Sequence, residues 1–168
     1  MMIRALADAG FYFDRPEWTQ RARKAIDFLW SELVTETPEG IQLKAVYYER
    51  GGPKVDAFLH DYALLAEACL AVASKIDWIE PGASATYQAR AQACVDQAMR
   101  YFTDEHSIGY YFTAVGAETP VARRKEWFDN ATPSGNSVML HALSGLHALT
   151  GDGRYAAEFE ATLPAYAD

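Results

Sequence analysis

Two short stretches hold most of the residues able to do chemistry. One is His60-Asp61-Tyr62; the other runs from Lys125-Glu126 through Asp129 to Ser134-Gly135-Asn136-Ser137. Two carboxylates about 5 to 9.5 Å apart across a cleft can cleave a glycosidic bond. Asp61 and Asp129 are the best such pair, with Glu67 and Glu126 behind them. Epimerisation instead needs a group that moves protons near neutral pH, usually histidine. His60 is the histidine expected near this site; His106 reads as a surface turn residue, and His141 and His147 as packed or solvent-facing. Aromatic faces can cover the apolar side of a sugar while amides and carboxylates take its hydroxyls. The candidate catalytic residues are therefore Asp61, Asp129 and His60. The candidate substrate contacts are Tyr62, Tyr110, Tyr111, Ser134 and Asn136. The structural alternative is that Asp61 and Asp129 cap their own helices and the tyrosines pack the loops.

Other chemistries lack support. No His, Cys, Asp and Glu spacing suits a metal. No serine nucleophile elbow or phosphate-cradling glycine loop is present, so no cofactor is expected. Formal net charge is -8, which argues against nucleic acid or an anionic membrane as partner. No apolar run reaches membrane-spanning length. Cys69 and Cys94 lie singly in helical patterns and read as small core residues of a reducing compartment. A cytoplasmic location is expected.

These residues must be positioned by helices. A three-and-four apolar stripe predicts one helix from Glu17, with Trp18, Ala22, Ile26 and Leu29 on it. An earlier helix ends at Gly10. Residues 41 to 56 predict one short extended segment. A helix from about Ala57 to Ile76 is apolar over a wide arc, as expected for a helix packed on two sides. A fourth carries Tyr87, Ala91, Cys94, Val95, Ala98 and Phe102. Thr132 and Pro133 predict the cap and first turn of a fifth helix, with Ser134 to Ser137 following. A helix start of this kind can receive an anion or a polyol. The sixth helix runs from Arg154.

The pattern repeats. The stretch from Trp18 to Asp27 resembles that from Tyr87 to Asp96, and Tyr155 begins a weaker third copy. Asp61 and Asn136 fall at matching places. One domain of three helical hairpins follows, at about 2–35, 57–104 and 133–166. The fold class expected is all-α: an α/α toroid, about half of an (α/α)6 barrel, with short extended tyrosine-containing loops gathered at one mouth.

Phe58-Leu59-His60-Asp61-Tyr62-Ala63, then Gly109-Tyr110-Tyr111-Phe112-Thr113, then Lys125-Glu126 and Asp129-Asn130-Ala131-Thr132-Pro133-Ser134-Gly135-Asn136-Ser137 resemble the helical domain of the DUF255 thioredoxin-domain-containing proteins. That domain is similar to six-hairpin glycosidases and N-acylglucosamine 2-epimerases. The resemblance implies a toroid and a sugar ligand. The thioredoxin-like cysteine motif is absent, so no redox activity is implied. His60 stands where the family commonly has a first acid, which weakens a catalytic role carried over to that position. Half a toroid implies a fragment or truncated relative, with a second copy or a missing domain covering its open edge. The alternative function is a non-catalytic helical module that packs on other domains or on itself.

Overall fold

The computed structural model describes residues 1–117 and 122–166. Six α-helices are arranged as three consecutive pairs: α1 (Met2–Tyr12) with α2 (Pro16–Leu33), α3 (Leu59–Ile76) with α4 (Ser84–Phe102), and α5 (Gly135–Thr150) with α6 (Gly153–Thr162). Helix α3 packs against α1, α2, α4 and α5, and α5 packs against α3, α4 and α6. One layer is thus α1, α3 and α5, backed by α2, α4 and α6.

Sequence explains the central place of α3. Leu59, Tyr62, Leu65, Leu70, Val72 and Ile76 are buried, and so are Ala63, Ala66, Ala68, Ala71 and Ala73. Alanine leaves room for neighbouring helices on more than one side and favours the helix intrinsically. The junction to α4 is fixed by Asp77, whose carboxylate accepts from the Ser84 N–H at 2.9 Å and the Ser84 hydroxyl at 2.6 Å.

Gly10 does not end α1, which runs on to Tyr12. It is a crossing point instead. An added Cβ would sit 2.7 Å from the Thr19 backbone nitrogen, and Thr19 itself is fully buried on α2. Only glycine lets the two helices meet this closely.

The chain is not all-α. Residues 34 to 56 form a three-stranded antiparallel sheet, β1 (Val34–Thr37), β2 (Gly40–Tyr48) and β3 (Gly52–Asp56), in that order. Val34 pairs with Leu43, and Val46 with Lys54. The β-branched run Val34-Thr35 ends α2 early at Leu33 and continues as strand. Ile41 and Leu43 alternate inward and are buried, while Gln42 faces out. The second tyrosine segment stays irregular and joins the end of α4 through a bridge between Thr103 and Tyr110.

The start of α5 also lies two residues later than Thr132 and Pro133 suggest. Its cap is Ser134, whose hydroxyl accepts from the Ser137 N–H at 3.1 Å. The Asp129 carboxylate accepts the Ser134 N–H at 2.9 Å. Ser134 competes successfully with Thr132 because Asp129 folds back to hold its amide.

Candidate functional site

Three of the residues expected at a shared mouth do not share a cavity. Asn136 is fully buried. Its Oδ1 accepts from the Tyr110 N–H at 2.9 Å, and its Nδ2 donates to the carbonyls of Tyr110 at 3.0 Å and Glu126 at 2.9 Å. The side chain therefore ties α5 to both long loops. Counted from their caps Phe58 and Ser134, His60 matches Asn136, and Asp61 matches Ser137.

Asp61 is half-buried and its Oδ2 accepts from the Phe58 N–H at 2.8 Å. It borders an apolar cavity of about 200 Å³ with Leu29, Leu33, Leu43, Leu64 and Leu65. Burial pushes its carboxyl up, against the opposing pull of the Phe58 N–H and His60. A raised folded-state value means that its contribution to stability is full below the ordinary carboxyl value and is lost as pH rises through the raised one. Asp61→Asn keeps an acceptor for Phe58 and removes the buried charge. It is expected to match or exceed the wild type in urea unfolding at pH 7, with the difference shrinking or reversing toward pH 4. A large loss of stability at pH 7 would show that the charge itself is needed.

The tyrosines are also engaged internally. The Tyr62 hydroxyl accepts the Leu43 N–H at 2.9 Å, which fixes β2 on α3. Tyr110 is fully buried and donates to Glu158 at 2.6 Å; burial and that carboxylate push its hydroxyl well up. Tyr111 lies under the Arg123 guanidinium, 4.1 Å from ring centre. Tyr47 packs edge-on against Phe28, and Tyr48 is exposed beneath Lys54. These five tyrosines do not form one aromatic surface.

His60 borders a cavity of about 340 Å³ with Lys125, Trp127, Asn130 and Ser134, and its buried Nε2 has no hydrogen-bond partner. Lys125 is held there by Asp104 at 2.7 Å and donates to the Ile108 carbonyl at 2.6 Å. Cys69 and Cys94 are buried free thiols; burial pushes Cys69 up to about 12 and Cys94 also up.

The first helix layer assembles a different set. Arg4 and Asp8 of α1, Glu67 of α3, Ser137 and His141 of α5, and Asp129 from the preceding loop border one open cavity of about 380 Å³. The second layer contributes nothing to its lining. Arg4 binds the Glu67 carboxylate and lies 3.6 Å from Asp8, which Lys75 holds at 2.8 Å. The Ser134 N–H, then the Ser137 hydroxyl, keep the Asp129 carboxyl below its usual range, with His141 adding to the effect. Phe128, 86% exposed, adjoins Asp129 in sequence, and the Tyr166 hydroxyl reaches Ser137 at 3.2 Å. Three carboxylates, a hydroxyl, a guanidinium and an imidazole in one cleft can bind a polyol and exchange protons with it. Of this set, sequence reasoning singled out Asp129 and, behind it, Glu67. Position explains the rest: Arg4 and Asp8 fall on α1 and His141 on α5, so only the layer order brings them together. Among the described residues no three His, Cys, Asp or Glu side chains could hold a metal ion, and no helix is long and apolar enough to cross a membrane.

No family model matches the chain. It is 28% identical to spermatogenesis-associated protein 20 of Rattus norvegicus over 159 residues, which cover 90% of this chain and 19% of that protein. The similarity marks homology at modest identity. The corresponding Mus musculus protein is 32% identical over 105 residues, 61% of this chain and 12% of its own length. This chain thus spans about a fifth of the length of the curated relatives it matches.

Proposed function

We propose that this chain is a carbohydrate-binding or carbohydrate-active helical domain whose ligand occupies the cavity between α1, α3 and α5. The observation that carries this reading is the convergence of Glu67, Asp129, Ser137 and His141 on one cleft. Carboxylates and the Ser137 hydroxyl would take sugar hydroxyls. The consecutive helix pairs suit about half of an (α/α)6 toroid, whose first layer would line the central cavity. The Asp129–Ser137 run supports the same ligand class through its resemblance to the DUF255 helical domain, itself similar to six-hairpin glycosidases and N-acylglucosamine 2-epimerases. Similarity to spermatogenesis-associated protein 20 fits that resemblance. Arg4 would fix the Glu67 carboxylate, and His141 is the group best placed to move a proton.

Calorimetric titration with mono- and disaccharides and sugar phosphates tests this. At least one is expected to bind, and Glu67→Gln to weaken it about tenfold, the loss of one charge-assisted hydrogen bond. Asp61→Ala should leave binding unchanged. If no sugar binds, the second reading stands: a non-catalytic helical module. That reading is favoured by the internal use of Asp61, Tyr62, Tyr110 and Asn136.

A further inference from the structure

The second layer is held together by a tie that occurs twice. At the first, the Tyr87 hydroxyl of α4 donates to the Asp27 carboxylate of α2 at 3.0 Å, and Arg90 donates to the same carboxylate at 2.6 Å. Arg23 of α2 donates to the Tyr87 hydroxyl at 3.0 Å. At the second, the Tyr155 hydroxyl of α6 donates to Asp96 of α4 at 3.0 Å, with Arg154 at 3.9 Å from that carboxylate. One shift in numbering carries Arg23 to Gln92 and Asp27 to Asp96.

Helix α4 therefore has two working flanks. Tyr87 and Arg90 reach back to an acid on the preceding helix. Gln92 and Asp96 offer a donor and an acid to the following one. Helix α2 carries the forward half in Arg23 and Asp27. The same shift places Trp18 and Arg21 where α4 has Tyr87 and Arg90, so α2 also carries the backward half. Arg21 is exposed and Trp18 half-exposed. Among the described residues Arg21 makes no ion pair, and the Trp18 indole N–H, a donor only, bonds to nothing. Arg15 and Phe13 pack the ring in place.

We propose that the Trp18–Arg21 flank of α2 docks a helix of the same kind from another polypeptide segment, one with an arginine or glutamine followed four positions later by an acid. The indole N–H and the Arg21 guanidinium would hold that acid as Tyr87 and Arg90 hold Asp27. Continuity with the two existing interfaces and the matching charge identify the occupant. A second copy does not fit. Under the shift that takes Tyr87 to Tyr155, its helix α6 and the turn after it present Glu160 and Pro164 where Gln92 and Asp96 stand, and offer no acid at the second place. The inference is independent of the sugar reading, and its test involves no sugar.

The probe is a hydrocarbon-stapled helical peptide with the sequence of Pro16–Leu33, which carries Arg23 and Asp27, titrated into the intact chain at low salt and read by fluorescence anisotropy. Saturable binding is expected. It should weaken about tenfold with Arg21→Gln in the chain, and equally with Asp27→Asn in the peptide. Lys24→Gln, an exposed neighbour, should leave it unchanged. No binding, or binding indifferent to either substitution, would overturn the proposal. So would a salt-sensitive dimer of the chain alone in sedimentation that Arg21→Gln abolishes, since the flank would then belong to a second copy.

Discussion

Asn136→Ala is expected to lower stability by about 3–5 kcal/mol, because it leaves the buried Tyr110 N–H and carbonyl and the half-buried Glu126 carbonyl without this partner, at roughly 1–3 kcal/mol each. Domains of this size are stable by only about 5–15 kcal/mol, so the variant should be largely unfolded near 37 °C or show a urea midpoint far below the wild type. The loss would not be local. The amide joins the start of α5 to the Tyr110 segment and to Glu126, and Tyr110 in turn reaches Glu158 on α6. Asn136→Asp keeps the acceptor for the Tyr110 N–H but turns the other oxygen toward two carbonyls, so it should rescue little. An unchanged midpoint for Asn136→Ala would return this residue to the list of ligand contacts.

Gly10→Ala should destabilise by about 1–3 kcal/mol, against the direction that helix propensity alone predicts. Alanine favours a helix over glycine by about 1 kcal/mol. At position 10 the added carbon meets the Thr19 backbone nitrogen at 2.7 Å and the Arg15 carbonyl at 3.0 Å, groups that cannot rotate away. Overpacking of this kind costs about 1–3 kcal/mol and more when backbone must move. The α1–α2 pair would open, and with it the side of the cavity that Arg4 and Asp8 supply. Gly145→Ala on α5 is the control. There the nearest atom is the flexible end of Leu70 at 3.0 Å. Thermal melts of both variants decide the matter: equal effects would remove the close crossing as the reason for Gly10.

The helical stripes were legible because period-three-and-four burial is written locally: Tyr87, Ala91, Cys94, Val95, Ala98 and Phe102 are all buried on α4. The sheet was less so. Its signal is short, since only Ile41 and Leu43 alternate inward on β2, and its anchor, the Tyr62 hydroxyl, comes from a helix that follows it in the chain. The cap of α5 was misplaced by two residues because Thr132-Pro133 is a valid start on its own terms. The choice of Ser134 depends on Asp129 turning back. The site suffered most. Asp61 and Asn136 read as matching places in the repeat, but counted from the caps Asn136 matches His60, and a buried amide at a helix start is as useful for tying loops as for binding. Glu67 and Asp129 reach a common cavity because α1, α3 and α5 stand side by side, and that order is a tertiary fact. His141 reads from sequence as packed or solvent-facing, whereas its relevant neighbours, Asp129 and Ser137, are brought to it by the fold.

Helix α3 touches four of the other five helices, whereas the α1–α2 and α5–α6 pairs each rest mainly on it and on one another. Stability in such a stack is close to a sum of neighbour couplings. The two ends are therefore separate opening units around a common centre. Either end pair can detach without exposing the whole core, and each detachment uncovers the alanine-rich surface of α3. The helix that makes the fold compact is thus also the surface on which a displaced helix, native or foreign, would first re-form contacts.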